Sequence, residues 1–348
     1  MKTSVTAAAL TGAVLSSTSW AALPDTWKAG AKWQFEIQDP LKLPADTNTK
    51  LVPDADVWDI DLWHAYKDDT IIPALHARGK TVICYFNFGA VQPEDCDFTR
   101  WYNKNPDLNR WNGVWYGDAN DGSQDKYCER YENFADDDVF NLMKQRIDDA
   151  AAIGCDGVDP DNIDIWTIKE LGVRKDKVVG ALKRMAAYTH SKTTTLGNKL
   201  MIGQKNAAPI SEDLVADFDF AVLESCVAED FCYDFVNYLA AGKPVADIEY
   251  PKSLGNLNDD KNGCNLRGVS SSDRAKVCKP LDDELALMSR VLKLNFDAYG
   301  LNGCTQFCED TQAVLTPTNP GSDKVCDYNF DGCPNDATLK ENCCCGGC

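Results

Sequence analysis

Acidic residues stand at the ends of several apolar runs in this sequence. Asp59 and Asp61 close the run that starts at Asp56, and Asp159, Asp161 and Asp164 close or follow Gly157-Val158-Asp159-Pro160. Glu224 follows Phe218 to Leu223, Glu249 ends Val245 to Glu249, and Lys205-Asn206 follow Leu200 to Gly203. Carboxylates that face one cleft repel one another, so a set of them calls for a proton, a cation or a cationic substrate. Two carboxyl groups of unequal proton affinity are also what glycoside hydrolysis needs: one protonates the leaving oxygen, the other attacks or activates water. A metal reading competes, because Asp159 to Asp164 could supply oxygen ligands. In the C-terminal stretch, Asp327-Tyr328-Asn329-Phe330-Asp331-Gly332 opens like a calcium-binding loop, but its twelfth position is Thr338 rather than Glu. We expect carboxylate chemistry with no metal and no cofactor.

These residues need elements that bring strand ends together. Trp33 to Ile37 reads as a strand, and Asp56 to Leu62 alternates with period two. Thr81 to Phe86 is continuously apolar, as a strand covered on both faces should be. Helical spacing follows at Thr70 to Arg78, and at Asp137 to Ile153, where Val139, Leu142, Met143, Ile147 and Ala150 share one face. Asp176 to His190, Phe231 to Ala241 and Leu281 to Leu294 are further predicted helices. Gly157 to Pro160, Leu200 to Gly203, Phe218 to Leu223 and Val245 to Glu249 are further strands, with an eighth expected near Phe296 to Leu301. Strand–helix alternation of this length predicts an α/β fold, a (β/α)8 TIM barrel, with chemistry where the strands end. A doubly wound dinucleotide fold loses weight because no GxGxxG follows the first strand.

The 348 residues carry 35 basic and 54 acidic side chains and a net charge of −19. So acidic a chain is a poor partner for nucleic acid. Residues 1–21 read as a signal peptide, with Lys2, an Ala-rich apolar stretch and Ser19-Trp20-Ala21, so a secreted, extracellular protein is expected. No run is long enough to span a membrane, and we expect a monomer. Sixteen cysteines against three histidines favour disulfides over zinc in an exported chain. Cys226–Cys232, Cys96–Cys128 and Cys264–Cys278 are candidate pairs, and Cys84 is a buried thiol or a partner for a nearby cysteine. Eight cysteines fall within 302–348, which reads as a small disulfide-rich tail after a catalytic domain over 22–301.

Several strings occur in an order that resembles a known family: VWDIDL at 57–62, VICYF at 82–86, GCDGVDPDNID at 154–164, Lys205-Asn206, Glu224-Ser225-Cys226, Gly242-Lys243-Pro244-Val245 and Ile248-Glu249-Tyr250. Together they look like glycoside hydrolase family 114, the endo-α-1,4-polygalactosaminidases. The resemblance implies a (β/α)8 barrel that cleaves α-1,4-linked galactosamine-containing polysaccharide with an Asp after the fourth strand and a Glu after the sixth. The matching residues are Asp159 or Asp161, with Asp159 preferred because it ends the strand itself, and Glu224 as general acid. Asp61, Tyr85, Asp164, Lys205, Asn206, Glu249 and Tyr250 are the expected substrate-binding residues on the same rim. A polymer of free galactosamine is cationic, which suits the acidic chain. A barrel that binds glycan without cleaving it, or one that cleaves another amino-sugar or an α-galactan, is the alternative.

Overall fold

β-branched and aromatic runs pair into a ten-stranded sheet wound around a central axis, beside a small three-stranded antiparallel sheet of Ala90–Val91, Val114–Trp115 and Arg130–Tyr131. A computed structural model describes residues 30–91, 130–255, 263–278, 290–293 and 303–319, with positions 24, 27, 95–97, 101 and 114–115. The strands are β1 (Trp33–Glu36), β2 (Val57–Asp61), β3 (Thr81–Asn87), β4 (Gly157–Asp161), β5 (Met201–Lys205), β6 (Phe220–Glu224), β7 (Val245–Glu249) and β8 (Arg290–Lys293). Neighbours from β1 through β8 pair in parallel and in chain order. β9 (Cys304–Phe307) and β10 (Val314–Leu315) then continue antiparallel from β8. This is a nearly closed TIM barrel. Helices follow β2 through β7, but among the described residues none lies between β1 and β2. None of the described helices is long and apolar enough to cross a membrane.

The long helix after β3, Asp137–Ile153, matches its predicted span and buries Val139, Leu142, Met143, Ile147 and Ala150 against the sheet. Asp136 caps its start by accepting from the Asp138 N–H, and Gly154 ends it at φ 100°, in left-handed space that a side chain disfavours. Leu281 to Leu294 departs from its predicted helix, since Arg290–Lys293 is the eighth parallel strand. The apolar residues at 291 and 292 fit either period, and pairing with β7 decides between them. The strand expected at Phe296 to Leu301 lies outside the described residues.

The barrel's lower rim uses one device three times. Asp56, Asp156 and Asp219 each sit just before an even-numbered strand, and each accepts from the backbone N–H of Lys32, Val82 or Ile202 at 2.9, 2.8 and 2.9 Å. His76 and His190 reach the second and third of these carboxylates at 2.8 Å. Two of the three histidines are thus tied to the end of the barrel remote from the catalytic rim.

Cysteine pairing partly follows expectation. Cys226–Cys232 forms, and Cys84 bonds to Cys155. Cys264 does not pair with Cys278: Cys264 bonds to Cys304 and Cys278 to Cys308. Cys96 is disulfide-bonded, and its expected partner Cys128 lies outside the described residues. These bonds draw residues 303–319, counted above with the tail, into the barrel. There Gln34 of β1 donates to Thr305 and Thr316 at 3.1 and 2.9 Å, and Lys32 pairs with Asp310 at 3.1 Å. The segment thereby occupies the seam between the last and first parallel strands. Residues 1–21 and 320–348 are outside the described residues.

Candidate active site

The upper ends of β3 to β7 converge on Lys205. Its ammonium lies 3.3 Å from Asp161 Oδ2 and 3.2 Å from Glu224 Oε2. Burial disfavours this charge. The carboxylates of Asp161, Glu224, Asp159 and Asp59 outweigh that cost and hold Lys205 protonated, well above the ordinary lysine range. The ammonium also sits over the faces of Phe35 and Tyr85, 5.4 and 5.3 Å from their centroids.

Each flanking carboxylate has its own set of donors. Tyr85 donates its hydroxyl to Asp161 Oδ2 at 2.8 Å, and the Asn162 N–H donates to Asp161 Oδ1 at 2.7 Å. Tyr250 donates its hydroxyl to Glu224, and Asn206 Nδ2 donates to the same carboxylate at 3.3 Å. Asn206 Oδ1 in turn accepts the Glu224 N–H at 2.9 Å. Burial, then the Glu224 charge, pushes Tyr250 well above the ordinary tyrosine range, so it stays a donor.

Backbone strain marks the same three strand ends. Asn162, Asn206, Ala207 and Ser225 all take positive φ, at 55°, 44°, 58° and 58°. Each run of these residues directly follows a rim side chain: Asp161, Lys205 or Glu224. The left-handed residue turns the chain sharply and leaves the preceding side chain at the mouth, at a cost of order 1–3 kcal/mol each. The end of β3 grips this turn. Phe88 and Gly89 both donate their N–H to the Asp161 carbonyl, at 2.9 and 3.0 Å, and Asn162 Nδ2 reaches Asn87 Oδ1 at 3.1 Å. A Cβ on Gly89 would stand 1.7 Å from the Asn162 carbonyl oxygen, so only glycine permits this approach.

Asp159, preferred over Asp161 on sequence, lies one layer deeper. It is 0% exposed, whereas the Asp161 and Glu224 side chains are 16% and 18% exposed. Strand residues two apart share a face but differ in depth by about 7 Å. Asp159 therefore points into the barrel interior, beside Asp59.

Other expected sugar ligands are engaged in the fold. Asp61 caps the helix Leu62–Lys67 by accepting from the N–H groups of Trp63 and His64 at 2.8 and 2.9 Å. Burial raises Asp61 to about 7 and lowers nearby His64 to about 4, so their 3.8 Å approach is not an ion pair near neutrality. Glu249 is buried and accepts from the Val227 N–H at 2.7 Å, holding the loop that the Cys226–Cys232 bond closes. Asp247, one layer below it, accepts from the Cys226 N–H at 3.3 Å. Asp247 lies near both sulfurs, but their disulfide leaves no thiolate to hold a metal. Asp164 keeps partial exposure, and burial, then the Asp161 charge, raises it above the usual carboxylate range.

Several structural residues escaped the sequence reading. Arg146 is fully buried in the long helix, bonded to Asp95 at 2.7 Å, to Asp97 at 2.9 Å and to the Asn87 carbonyl at 2.6 Å. It lies over the rings of Trp63 and Trp101, 5.4 and 5.3 Å from the centroids. This cluster ties the loop after β3 to the strand end that grips Asp161. The available signal was one arginine inside an otherwise apolar helix face. Asp247 had a clearer signal: it precedes Glu249 by two residues on the same face of its strand, as Asp59, already read as a strand-end acid, precedes Asp61.

The sequence profile of the glycoside-hydrolase family GH114 matches residues 16–313. Among solved structures, Ega3 of Aspergillus fumigatus in complex with galactosamine aligns with TM-score 0.60 and 28% identity, over 83% of this chain and 99% of that one. The glycoside hydrolase domain of PelA from Pseudomonas aeruginosa aligns with TM-score 0.50 and 14% identity, over 76% of this chain and 94% of that one, a likeness of fold. Comparison with curated protein sequences returns no match. With a barrel of the expected kind and paired carboxylates at its mouth, this chain belongs to glycoside-hydrolase family GH114 and is a glycoside hydrolase.

Proposed function

We propose that the enzyme cleaves α-1,4-linked galactosamine-containing polysaccharide by double displacement, with Asp161 as nucleophile and Glu224 as acid and base. The observation that carries this reading is the shared ammonium. Asp161 Oδ2 and Glu224 Oε2 stand 3.3 and 3.2 Å from one Lys205 nitrogen, so these oxygens are at most 6.5 Å apart. Retaining glycosidases hold their carboxyl groups about 5–5.5 Å apart, and inverting ones about 6.5–9.5 Å to admit a water. The bound favours retention.

In the first step an Asp161 oxygen bonds to the anomeric carbon while the glycosidic C–O bond breaks, and Glu224 gives its proton to the departing oxygen. In the second, Glu224 takes a proton from water, whose oxygen bonds to the anomeric carbon and frees Asp161. Lys205 balances charge on both carboxylates, and Tyr85 and Tyr250 fix their orientation. Asp164 and the acidic mouth suit a protonated amino-sugar, in keeping with the galactosamine bound to the related Ega3. Residues 1–21 suit export, which places the enzyme outside the cell.

The test is hydrolysis of partly deacetylated α-1,4-galactosamine polymer, with the anomer of the new reducing end read by NMR before mutarotation. Wild type should release α product, and Asp161→Asn and Glu224→Gln should each lose at least about 100-fold in kcat. A β product overturns double displacement, and full activity of Asp161→Asn overturns its role. Cleavage of a different sugar polymer in preference moves the substrate assignment and leaves the pair.

A further inference from the structure

Beneath the rim, Asp59 of β2 and Asp159 of β4 project into the barrel interior from opposite sides of β3. Both are 0% exposed. None of their four carboxyl oxygens meets an N–H or O–H donor from another described residue. The two groups lie within hydrogen-bonding reach of each other. Two carboxylates in such contact, dry and without donors, are not stable as a dianion; a proton between them satisfies one oxygen on each side. We propose that Asp59 and Asp159 hold a proton between them at neutral pH, and that this pair sets how much of the Lys205 charge reaches Asp161 and Glu224.

The surroundings support this role. Lys205 of β5 is the cation felt by both members, and Asp161 of β4 adds repulsion to both. Glu224 of β6 adds repulsion at Asp159. β1 and β3, packed against β2, contribute Phe35, Ile83 and Tyr85 to this interior, of which only the Tyr85 phenol can ionise. Burial raises both carboxyls, Asp159 to about 7 and Asp59 well above the usual carboxylate range. While the pair keeps its proton, Lys205 is shared chiefly between the two rim carboxylates. Loss of that proton leaves two negative charges below the ammonium, which then compete with Asp161 and Glu224 for it. Asp59 and Asp159 are thus positioning residues, acting through Lys205, and the alkaline limb of activity belongs in part to them.

This inference rests on the catalytic reading above, so its test has an arm that needs no substrate. Infrared spectra of the intact protein at neutral pH are compared for wild type, Asp59→Asn and Asp159→Asn, in the region of protonated carboxylic acids. The expected result is an acid carbonyl band in wild type that falls in Asp59→Asn. In the other arm, kcat/KM against pH should show the alkaline limb moved upward by a pH unit or more in both variants, with the acid limb in place, because neither variant can become a dianion. KM at the optimum should change less than kcat does above it. If both variants misfold, the band is titrated in Asp61→Asn, which removes the other carboxyl raised to about 7 by burial: its persistence to neutral pH supports the pair, and its loss by pH 5 overturns it. Equal neutral-pH bands in wild type and folded Asp59→Asn also overturn the proposal, as do pH profiles that superimpose. Absence of hydrolysis by any form, with the band difference intact, refutes the catalytic reading and leaves the shared proton.

Discussion

Gly89→Ala tests whether the grip of β3 on Asp161 matters to catalysis. The added Cβ would sit 1.7 Å from the Asn162 carbonyl oxygen, 2.7 Å from its carbonyl carbon and 2.9 Å from Ile165 Cγ2, while real Cβ contacts essentially never fall under 3.0 Å. The neighbour is backbone, so one segment must move by about 1.3 Å merely to reach that limit. The movement falls on the Asn162–Ile163 peptide, one peptide along from the Asp161 carbonyl that accepts the Phe88 and Gly89 N–H bonds, so it is passed through Asn162 to the proposed nucleophile. A displacement of about 1 Å at a reacting group costs on the order of 100-fold. Weakening two backbone hydrogen bonds adds about 1–3 kcal/mol of lost stability, which a thermal melt reads separately. The assay is steady-state kinetics on the galactosamine polymer at a temperature where the variant is folded by circular dichroism. We expect kcat to fall about 100-fold with KM changed less. A folded Gly89→Ala enzyme within threefold of wild-type kcat would refute the reasoning, since the strand end would then have shifted without carrying Asp161.

Three further outcomes follow from packing and charge. Removing the Cys84–Cys155 bond by double alanine substitution frees a sequence separation of 71 residues, which chain entropy values at about 4 kcal/mol; a loss under about 1 kcal/mol in urea unfolding would contradict it. Arg146→Met leaves Asp95 and Asp97 buried without their cation and should cost about 3–5 kcal/mol, read from the shift in denaturation midpoint at constant m-value. Asp61 is raised by burial from 3.8 to about 7 in the folded state, so its contribution is fully present below pH 3.8 and is lost as pH rises through 7, by up to about 4 kcal/mol. Asp61→Asn keeps an oxygen for the helix cap but cannot titrate, so the fall in stability between pH 4 and 7 should be shallower in the variant; an unchanged slope would assign it elsewhere.

Much of the barrel was legible because strand periodicity and helix caps are local. The span Asp137–Ile153 carries both its boundaries in sequence, Asp136 before it and Gly154 after it. Arg290–Lys293 was misread as helix because its partner β7 lies more than 40 residues away, and pairing is not written in either strand alone. One expected disulfide failed in the same way: Cys264 and Cys278 are near in sequence, yet each reaches β9 or the turn after it.

The site divides along the same line. Sequence alone determined that acids recur at period two near strand ends, that Lys205 and Glu224 close neighbouring strands, and that Tyr85 and Tyr250 lie near the same rim. Residue type and parity fix the face on which a strand side chain stands. Only the tertiary structure decided depth. Asp159 and Asp161 share a strand and a face, but the left-handed turn at Asn162 and the grip of Phe88–Gly89 bring Asp161 to the mouth. The barrel wall encloses Asp159 with Asp59, where water cannot reach. Parity is a property of one strand; access to solvent is a property of how eight strands close around an axis.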